Sequence, residues 1–378
     1  MCSNAPLSAT DGDDMRVIQA QSTDIDTTDA LAEILEQARE RLAGDRPGAA
    51  LLFAGQDYVH QEVLDGIAAE WPGLPLIGCT TDGEVSSEKG YTEDSLLLVL
   101  FVGVSGQVGV GSTLSVAPEA AVKAACEGLS GQLAITLPAS LDTNLGPVVR
   151  RLREALDCPL VGGASGDHRR FELIRQFAGT QVYEDALPVL TLRGDVEVGL
   201  GLGCGWEPIG TTYTVTGVEG HVLTQLDGKP VLQMLPSHAA MSRAELGEHP
   251  LAVFPPGESS FFLRPIFAVD LEAGVLAFAA EIPMGSRVRL TRVVREGILQ
   301  GADEAAQAAT QALPKAKAAL VFTCAARKWL MGTRIEQEVE HLRTIGVPFA
   351  GFYGFAEIGP LGGGTGVHNQ TCVVVALS

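Results

Sequence analysis

Basic residues are scarce in this chain. Its 26 Lys and Arg residues face 46 Asp and Glu residues, which gives a formal net charge of -20 at pH 7. A surface with this charge repels phosphate backbones and anionic lipid head groups. The composition therefore argues against nucleic acid and membrane surfaces as partners.

Long apolar runs are also absent, since no stretch of eighteen or more apolar residues occurs. Such a stretch is what a transmembrane helix needs. The start of the chain has an acidic cluster at Asp11, Asp13 and Asp14, and neither the basic region nor the apolar core of a signal peptide. We expect a cytoplasmic protein whose residues 1–26 form an unstructured acidic tail.

Seven cysteines are present, without a Cys-x-x-Cys pair. Their odd number and scattered positions argue against a disulfide framework and against a structural zinc site. The serine-hydrolase motif Gly-x-Ser-x-Gly is absent, and residues 163–166 resemble it only loosely. Cys-His catalysis at Cys79 stays formally open, but a buried thiol beside a turn is the preferred interpretation. We predict that the protein is not an enzyme.

One pattern, by contrast, occurs three times. A proline, two apolar residues and a glycine are followed by a carboxylate eight or nine residues after the proline. The copies run from Pro75 to Glu84, from Pro159 to Asp167 and from Pro348 to Glu357. Three copies at nearly fixed spacing indicate a repeated structural unit.

Each copy follows an apolar run and a stretch with helical periodicity, which is the order of a βαβ unit. We predict such units within residues 49–102, 133–193 and 319–377. The predicted fold is α/β, with repeated βαβ-like units in mixed sheets and helices on the outer faces. Two domains are expected, at 27–244 and 245–378, and the prolines of 245–262 predict a linker or long loop between them.

The carboxyl ends of parallel strands form the edge where ligands bind in open α/β sheets. The predicted ligand-binding residues are those that the pattern places at or near this edge: Gly78, Glu84, Gly163, Asp167, Tyr353, Glu357 and Asn369. We expect a structural role for Glu84 and a place in the ligand cleft for Glu357. Only Glu357 is followed by a glycine-rich run that leads back to His368.

Three histidines are candidates for a functional role. His368 lies between glycines and the last strand, and His168 follows copy two, so both are placed at the predicted ligand edge. His60 shares a helical face with Val63 and Ile67, where a core residue is the more common occurrence. No second histidine or cysteine stands at metal-ligand spacing, so a closed zinc site is unsupported.

These motifs together are similar to the FIST domain family, in both its N-terminal and C-terminal halves. The resemblance is carried by residues 76–85, 161–167, 354–360 and 368–371, and it extends from about Ala49 to Leu377. It implies a sensory module of bacterial signal transduction that binds a small ligand.

A FIST chain without a fused output domain resembles in particular the NosP-type haem proteins. That resemblance implies haem, nitric oxide sensing, and regulation of a partner histidine kinase or cyclic-di-GMP enzyme. His368 is the first choice as iron ligand because it matches the family motif, with His168 and His60 as other candidates for the cofactor pocket. The Cys158-Pro159 pair is a further alternative, and a homodimer stays open.

A second class of function remains open beside haem sensing. The protein would then sense a small polar metabolite, such as an amino acid, without a cofactor. Asp82, Glu84, Asp167 and Glu357 would meet the ammonium group of the ligand, and backbone N–H groups would meet its carboxylate.

Overall fold

The chain contains three repeats of one β-α-β-α-β-β-β-β unit. The computed structural model describes residues 15–359 and 366–378. The first unit consists of β1 (Arg16–Ser22), α1 (Thr27–Leu42), β2 (Ala49–Ala54), α2 (His60–Glu70), β3 (Leu76–Thr80), β4 (Glu84–Ser86), β5 (Gly90–Thr92) and β6 (Leu96–Val102). The second consists of β7 (Ser105–Ser112), α3 (Pro118–Cys126), β8 (Leu133–Thr136), α4 (Leu145–Ala155), β9 (Leu160–Gly163), β10 (Gln176–Ala178), β11 (Gln181–Tyr183) and β12 (Ala186–Arg193).

The third unit begins with β13 (Val198–Gly203) and is then interrupted by an inserted subdomain. The insert contains β14 (Trp206–Glu219), β15 (Val222–Leu226), β16 (Lys229–Pro230), α5 (Val231–Met234), a 3-10 helix (Pro236–Ala240), α6 (Arg243–Glu248), β17 (Leu251–Phe254), β18 (Phe262–Arg264), β19 (Ile266–Asp270), β20 (Val275–Phe278) and β21 (Arg287–Val293). The unit resumes with α7 (Arg295–Ala312), β22 (Ala318–Cys324), α8 (Ala325–Met331), α9 (Ile335–Leu342), β23 (Phe349–Gly354), β24 (Glu357–Ile358), β25 (Val367–His368) and β26 (Cys372–Leu377). Two further 3-10 turns, Gly332–Arg334 and Arg343–Ile345, flank α9.

Each unit builds a six-stranded sheet with the same internal order. The orders are β1-β6-β2-β3, β7-β12-β8-β9 and β13-β26-β22-β23. The inner pairs β2-β3, β8-β9 and β22-β23 are parallel, which confirms the three predicted βαβ units. The α/β fold class with mixed sheets is likewise confirmed.

The last two strands of each sheet come from a neighbouring unit. The β4-β5 hairpin of the first unit pairs with β23 of the third, β10-β11 of the second pairs with β3 of the first, and β24-β25 of the third pairs with β9 of the second. The hairpins are thus exchanged in a cycle. Because each sheet is completed by another unit, the two domains predicted from the sequence share sheets.

The inner faces of the three sheets pack into one apolar core. Phe53 and Val99 from the first sheet, Ile135 from the second, and Phe322 and Phe352 from the third are all fully buried in it. Strands buried on both faces explain the near-continuous apolar runs of the sequence. The helices cover the outer faces in separate clusters, with α1 and α2 on the first sheet, α3 and α4 on the second, and α7 and α9 on the third. Among the described residues, no helix is long and apolar enough to cross a bilayer.

Two predictions about the chain's organisation are wrong. Arg16–Ser22 is a strand that pairs antiparallel with β6, so the predicted tail of 1–26 is structured in this part; residues 1–14 lie outside the described residues. The predicted linker at 245–262 instead includes the end of α6 and β17, which pairs with β18 and β21. Its prolines lie between these elements, where no ladder hydrogen bond from their nitrogen is needed.

The glycines of β13 allow α7 to pack directly on the strand. A Cβ on Gly201 would lie 1.8 Å from the carbonyl oxygen of Ala305 in α7. Close backbone packing of this kind accounts for the high glycine content of residues 199–205.

We therefore expect Gly201→Ala to lower the free energy of unfolding by about 1–3 kcal/mol, because helix and strand must move apart. Gly247→Ala is the matched control, since a Cβ there meets nothing within 4 Å and the residue lies in α6. Urea denaturation measures both variants. Equal unfolding midpoints for the two would contradict this account of α7 packing.

Candidate functional site

The three proline-glycine turns meet at one end of the shared core. Backbone hydrogen bonds of 2.8 Å join Gly166 N to the oxygen of Thr80, Asp82 N to that of Tyr353, and Ala164 N to that of Ala356. The carboxyl ends of the parallel strands of all three units therefore lie together.

A cavity of about 310 Å³ lies at this end, between the three-unit core and the inserted subdomain. Its volume is at the lower end of the range for small-molecule sites. The walls come from loops and strand ends of the second and third units and from the insert. The lining residues are Ser140, Leu141, Thr143, Leu145, Arg169, Phe171, Gly247, Glu248, Pro265, Ile266, Phe267, Ala279, Cys324, Ala325, Ala326, Trp329, Gly354, Phe355, Ala356, Val367, Asn369 and Gln370.

Aromatic rings form much of this wall. Phe171 stacks on Phe355 with ring centroids 4.9 Å apart, and it meets Trp329 and Phe267 edge-on at 5.9 and 6.3 Å. Cys324 and Ala326, at the junction of β22 and α8, contribute a further side. This part of the cavity wall is thus aromatic and largely apolar.

The loop that carries Phe171 is held in an unusual backbone conformation. His168, Arg169 and Phe171 all have positive φ, between 54° and 64°. Left-handed conformations of this kind persist in non-glycine residues only when the surroundings impose them. Here the buried Asp167 carboxylate accepts hydrogen bonds from the backbone N–H groups of Phe171, Glu172 and Leu173, at 2.9, 2.7 and 3.1 Å.

Asp82, in the first unit, holds two residues of the cavity wall. Its carboxylate accepts hydrogen bonds from Arg169 N at 2.9 Å and from Trp329 Nε1 at 2.8 Å. Burial raises the pKa of Asp82, whereas the nearby charges of Lys328 and His168 and these hydrogen bonds act to lower it. Asp82 thus positions the wall without lining the cavity.

Three polar side chains of the wall have groups to offer a ligand. The guanidinium of Arg169 lies 4.4 Å from the ring centroid of Trp329 and has no carboxylate partner among the described residues. Asn369 and Gln370 are nearly fully buried. The Gln370 side-chain oxygen has no hydrogen-bond partner in the described part of the chain.

Glu84 and Glu357 occupy equivalent positions in two of the exchanged hairpins, and Gln176 occupies the third. Each begins its hairpin, opposite Phe352, Gly163 and Cys79 respectively. Each also binds the residue at or just before the start of the last strand of its unit. Ser95 Oγ donates to Glu84 at 2.6 Å, Ala186 N to Gln176 at 3.0 Å and Thr371 N to Glu357 at 3.0 Å.

The cavity does not include most of the ligand-binding residues predicted from the sequence. Gly78, Glu84, Gly163, Asp167, Tyr353 and Glu357 lie outside its lining, and only Asn369 is part of it. Glu357 thus lies outside this cavity, and its carboxylate makes the same kind of contact as that of Glu84. Tyr353 is in the core, where its hydroxyl donates to Glu338 at 3.1 Å, and Gly78 and Gly163 lie within strands.

None of the three candidate histidines lines the cavity. His60 is buried in α2, its Nε2 is 2.9 Å from the oxygen of Gly55, and burial lowers its pKa to about 4. His168 Nε2 is 3.2 Å from Asp94 Oδ1, and His368 Nε2 is 3.2 Å from the oxygen of Gly359. No group of three His, Cys, Asp or Glu side chains within the described ranges is arranged to hold a metal ion.

The wall does not offer a haem the histidine that the resemblance implied. The described part of the lining contains no histidine, and its one thiol is that of Cys324. A histidine axial ligand is therefore missing from the described wall. Cys79, the candidate nucleophile, is fully buried and its pKa is also raised by burial.

The sequence analysis did not single out four residues of this wall, Arg169, Phe171, Trp329 and Gln370. Trp329 lies in α8, which begins directly after the carboxyl end of β22. Because ligands bind at the carboxyl ends of parallel strands, this position could have been proposed from the sequence. The left-handed backbone of Phe171 and Gln370 could not be predicted, because neither residue is a glycine.

Comparison with known families identifies the class of protein that this fold represents. The FIST N domain matches residues 48–229 and the FIST C domain matches residues 230–360. The chain belongs to the FIST family, whose domains are generally sensory, ligand-binding modules of signalling proteins. The boundary between the two matched regions lies inside the inserted subdomain.

Relatives of similar length occur in mycobacteria. An uncharacterized protein of Mycobacterium tuberculosis is 29% identical over 94% of this chain and 98% of its own length. One from Mycobacterium bovis is 26% identical over 94% of this chain and 97% of its own length. An uncharacterized protein of Methanocaldococcus jannaschii is 28% identical, but over 46% of this chain and 36% of its own length.

The equivalent glutamates predict a pH dependence of stability. Burial raises the pKa of Glu84 to about 7 and that of Glu357 to about 8, from an ordinary value of 4.5. Above pH 4.5 the unfolded chain ionises these groups while the folded chain keeps them protonated. Stability from this source is therefore complete below pH 4.5 and is lost as the pH rises towards 7 and 8.

The second unit has a glutamine, Gln176, at the equivalent position. Replacing both glutamates by glutamine should therefore remove this loss of stability at high pH. We expect the melting temperature of Glu84→Gln/Glu357→Gln to equal that of the wild type near pH 5 and to exceed it at pH 8. Each pKa unit corresponds to about 1.4 kcal/mol. Calorimetry across this range measures the difference, and parallel pH profiles for the two proteins would show that the glutamates are ionised in the fold.

Proposed function

We propose that this protein is a sensory module that binds a small organic ligand in the cavity beside Trp329 and communicates its occupancy to a partner protein. The observation that carries the proposal is the cavity itself, which combines aromatic walls with a few buried polar groups. Ligand sites in proteins have this composition.

The metabolite sensor is favoured over haem-based sensing by the geometry of the wall. A ligand here would meet Arg169, Asn369 and Gln370 rather than the carboxylates that the sequence suggested. Asp82 and Asp167 hold the loop, and Glu84 and Glu357 hold hairpins. Ammonium recognition by those four carboxylates is therefore not part of the proposal.

The position of the cavity supports a signalling role. Its walls belong to the second unit, the third unit and the inserted subdomain, so a bound ligand touches all three. A ligand shifts a conformational equilibrium only when it binds one arrangement of these parts better than another. The output that we propose is regulation of a histidine kinase or a cyclic-di-GMP enzyme.

Haem-based nitric oxide sensing is tested directly by titration with hemin. We expect no histidine-ligated Soret band from the purified protein, because no histidine lines the cavity. A stoichiometric Soret band that is lost in His368→Ala would reverse this preference and assign the cofactor to the edge near β25.

The proposed ligand site is tested by filling it. A library of small organic acids and heterocycles, screened by thermal shift and by quenching of tryptophan fluorescence, should yield ligands. We expect Ala326→Phe to abolish their binding, because Ala326 lines the cavity, and to change the melting temperature little. Ala273→Phe, at an exposed turn, is the matched control and should bind normally. Ligands that bind both variants equally would place the site elsewhere.

A further inference from the structure

We propose that the ligand of this cavity is a planar heterocycle that carries a lactam edge, with adjacent N–H and C=O groups, and a single negative charge. The inference rests on the proposed function and names the class of ligand that the wall fits. Three observations support it: the fixed orientation of two amides, the stacked aromatic rings, and the Arg169 guanidinium, which has no carboxylate partner among the described residues.

The Asn369 amide offers a hydrogen-bond donor. Its Oδ1 accepts a hydrogen bond from Nη1 of Arg264 at 3.2 Å, and the same nitrogen donates to the oxygen of Val367 at 3.1 Å. Arg264 is fully buried, so it fixes which end of the amide it meets. Asn369 lines the cavity, and its NH₂ group donates to no group among the described residues.

The Gln370 amide offers the complementary acceptor. Its Nε2 donates to the oxygen of Gly247 at 2.9 Å, which identifies the other end as the oxygen. That Oε1 is buried and has no partner in the described part of the chain. A buried acceptor left unpaired costs free energy that a ligand N–H group would recover.

Asn369 and Gln370 are consecutive, yet both line the cavity. In an extended strand their side chains would point to opposite faces. The backbone of Gln370 is instead left-handed, with φ of 52°, so these two residues do not follow the alternation of side chains in a strand. Two consecutive residues thus supply this wall with one amide donor and one amide acceptor, a set that is the complement of a lactam edge. A lone carboxylate can accept from the donor but offers no N–H group to the acceptor.

The rest of the wall indicates a flat, charged molecule. Phe171, Phe355 and Trp329 provide ring surfaces, on which planar π systems stack favourably. The guanidinium of Arg169, free of carboxylate partners within the described residues, favours an anionic substituent. Glu248 also lines the cavity and repels additional negative charge, so a monoanion fits better than a dianion.

Calorimetric titration of the wild-type protein with orotate and urate tests this class, since both carry a lactam edge and one negative charge near neutral pH. Uracil keeps the edge without the charge, benzoate keeps the charge without the edge, and 1,3-dimethylorotate lacks the ring N–H groups. We expect orotate or urate to bind, and each of the three controls to bind at least about tenfold more weakly than the better of the two.

Substitution of two exposed arginines, one at a time, distinguishes an effect of charge on ligand binding from an effect on folding. Arg169→Gln should weaken orotate or urate binding about tenfold while leaving the affinity for uracil unchanged. Arg170→Gln is the control, because Arg170 faces Asp57 and does not line the cavity. Gln370→Met should weaken orotate and uracil alike, and its melting temperature reports whether the turn is retained.

The outcomes distinguish this inference from the proposed function. If benzoate or an aliphatic compound binds in the cavity as tightly as orotate and urate, the ligand class is overturned and the sensory site stands. If Arg169→Gln leaves orotate and urate binding unchanged, the assigned contact is overturned. If no compound of the library binds in a manner that Ala326→Phe abolishes, the proposed site itself fails.

Discussion

The shared apolar core of the three sheets is the constraint on which the rest of the structure depends. Each sheet has one face on this core and the other under its own helices, so every central strand must be apolar on both sides. No single unit can bury its inner face alone. The units are therefore obliged to fold around each other, as in repeat proteins whose neighbouring units complete one core.

The cyclic exchange of hairpins follows from the same packing. The three turns after β3, β9 and β23 come together at one end of the core, where each can enter the next sheet. Antiparallel pairing there covers the outer edge of a parallel strand pair, so that a strand of only two or three residues, β5, β11 or β25, forms the edge instead. The polar residue that begins each hairpin then ties it to the last strand of its own unit. Glutamate serves this purpose twice and glutamine once.

The sequence predicted the features that depend on local periodicity. The parallel strand pairs could be predicted because apolar runs and helical periodicity indicate which segments are buried strands and which are the helices between them. The exchange of hairpins could not be predicted from the sequence, because it pairs residues that are far apart along the chain, such as Glu84 and Phe352. The nearly fixed spacing between proline and carboxylate also led us to treat two residues as equivalent that are not. Asp167 was matched with Glu84, whereas the long loop of the second unit moves the equivalent residue to Gln176.

The site itself arises where the threefold repetition is broken. The insert between β13 and α7 covers one side of the end where the turns meet, and the long loop 164–175 of the second unit supplies Arg169 and Phe171. The first unit has no such loop, but its Asp82 binds both Arg169 and Trp329. All three units therefore contribute to one wall, two by lining it and one by holding it in place. A change in the position of Trp329 on ligand binding must be accommodated by Asp82 and by the turn of the first unit. The repeated units account for the end of the core where the turns meet, and the departures from repetition account for the cavity beside it.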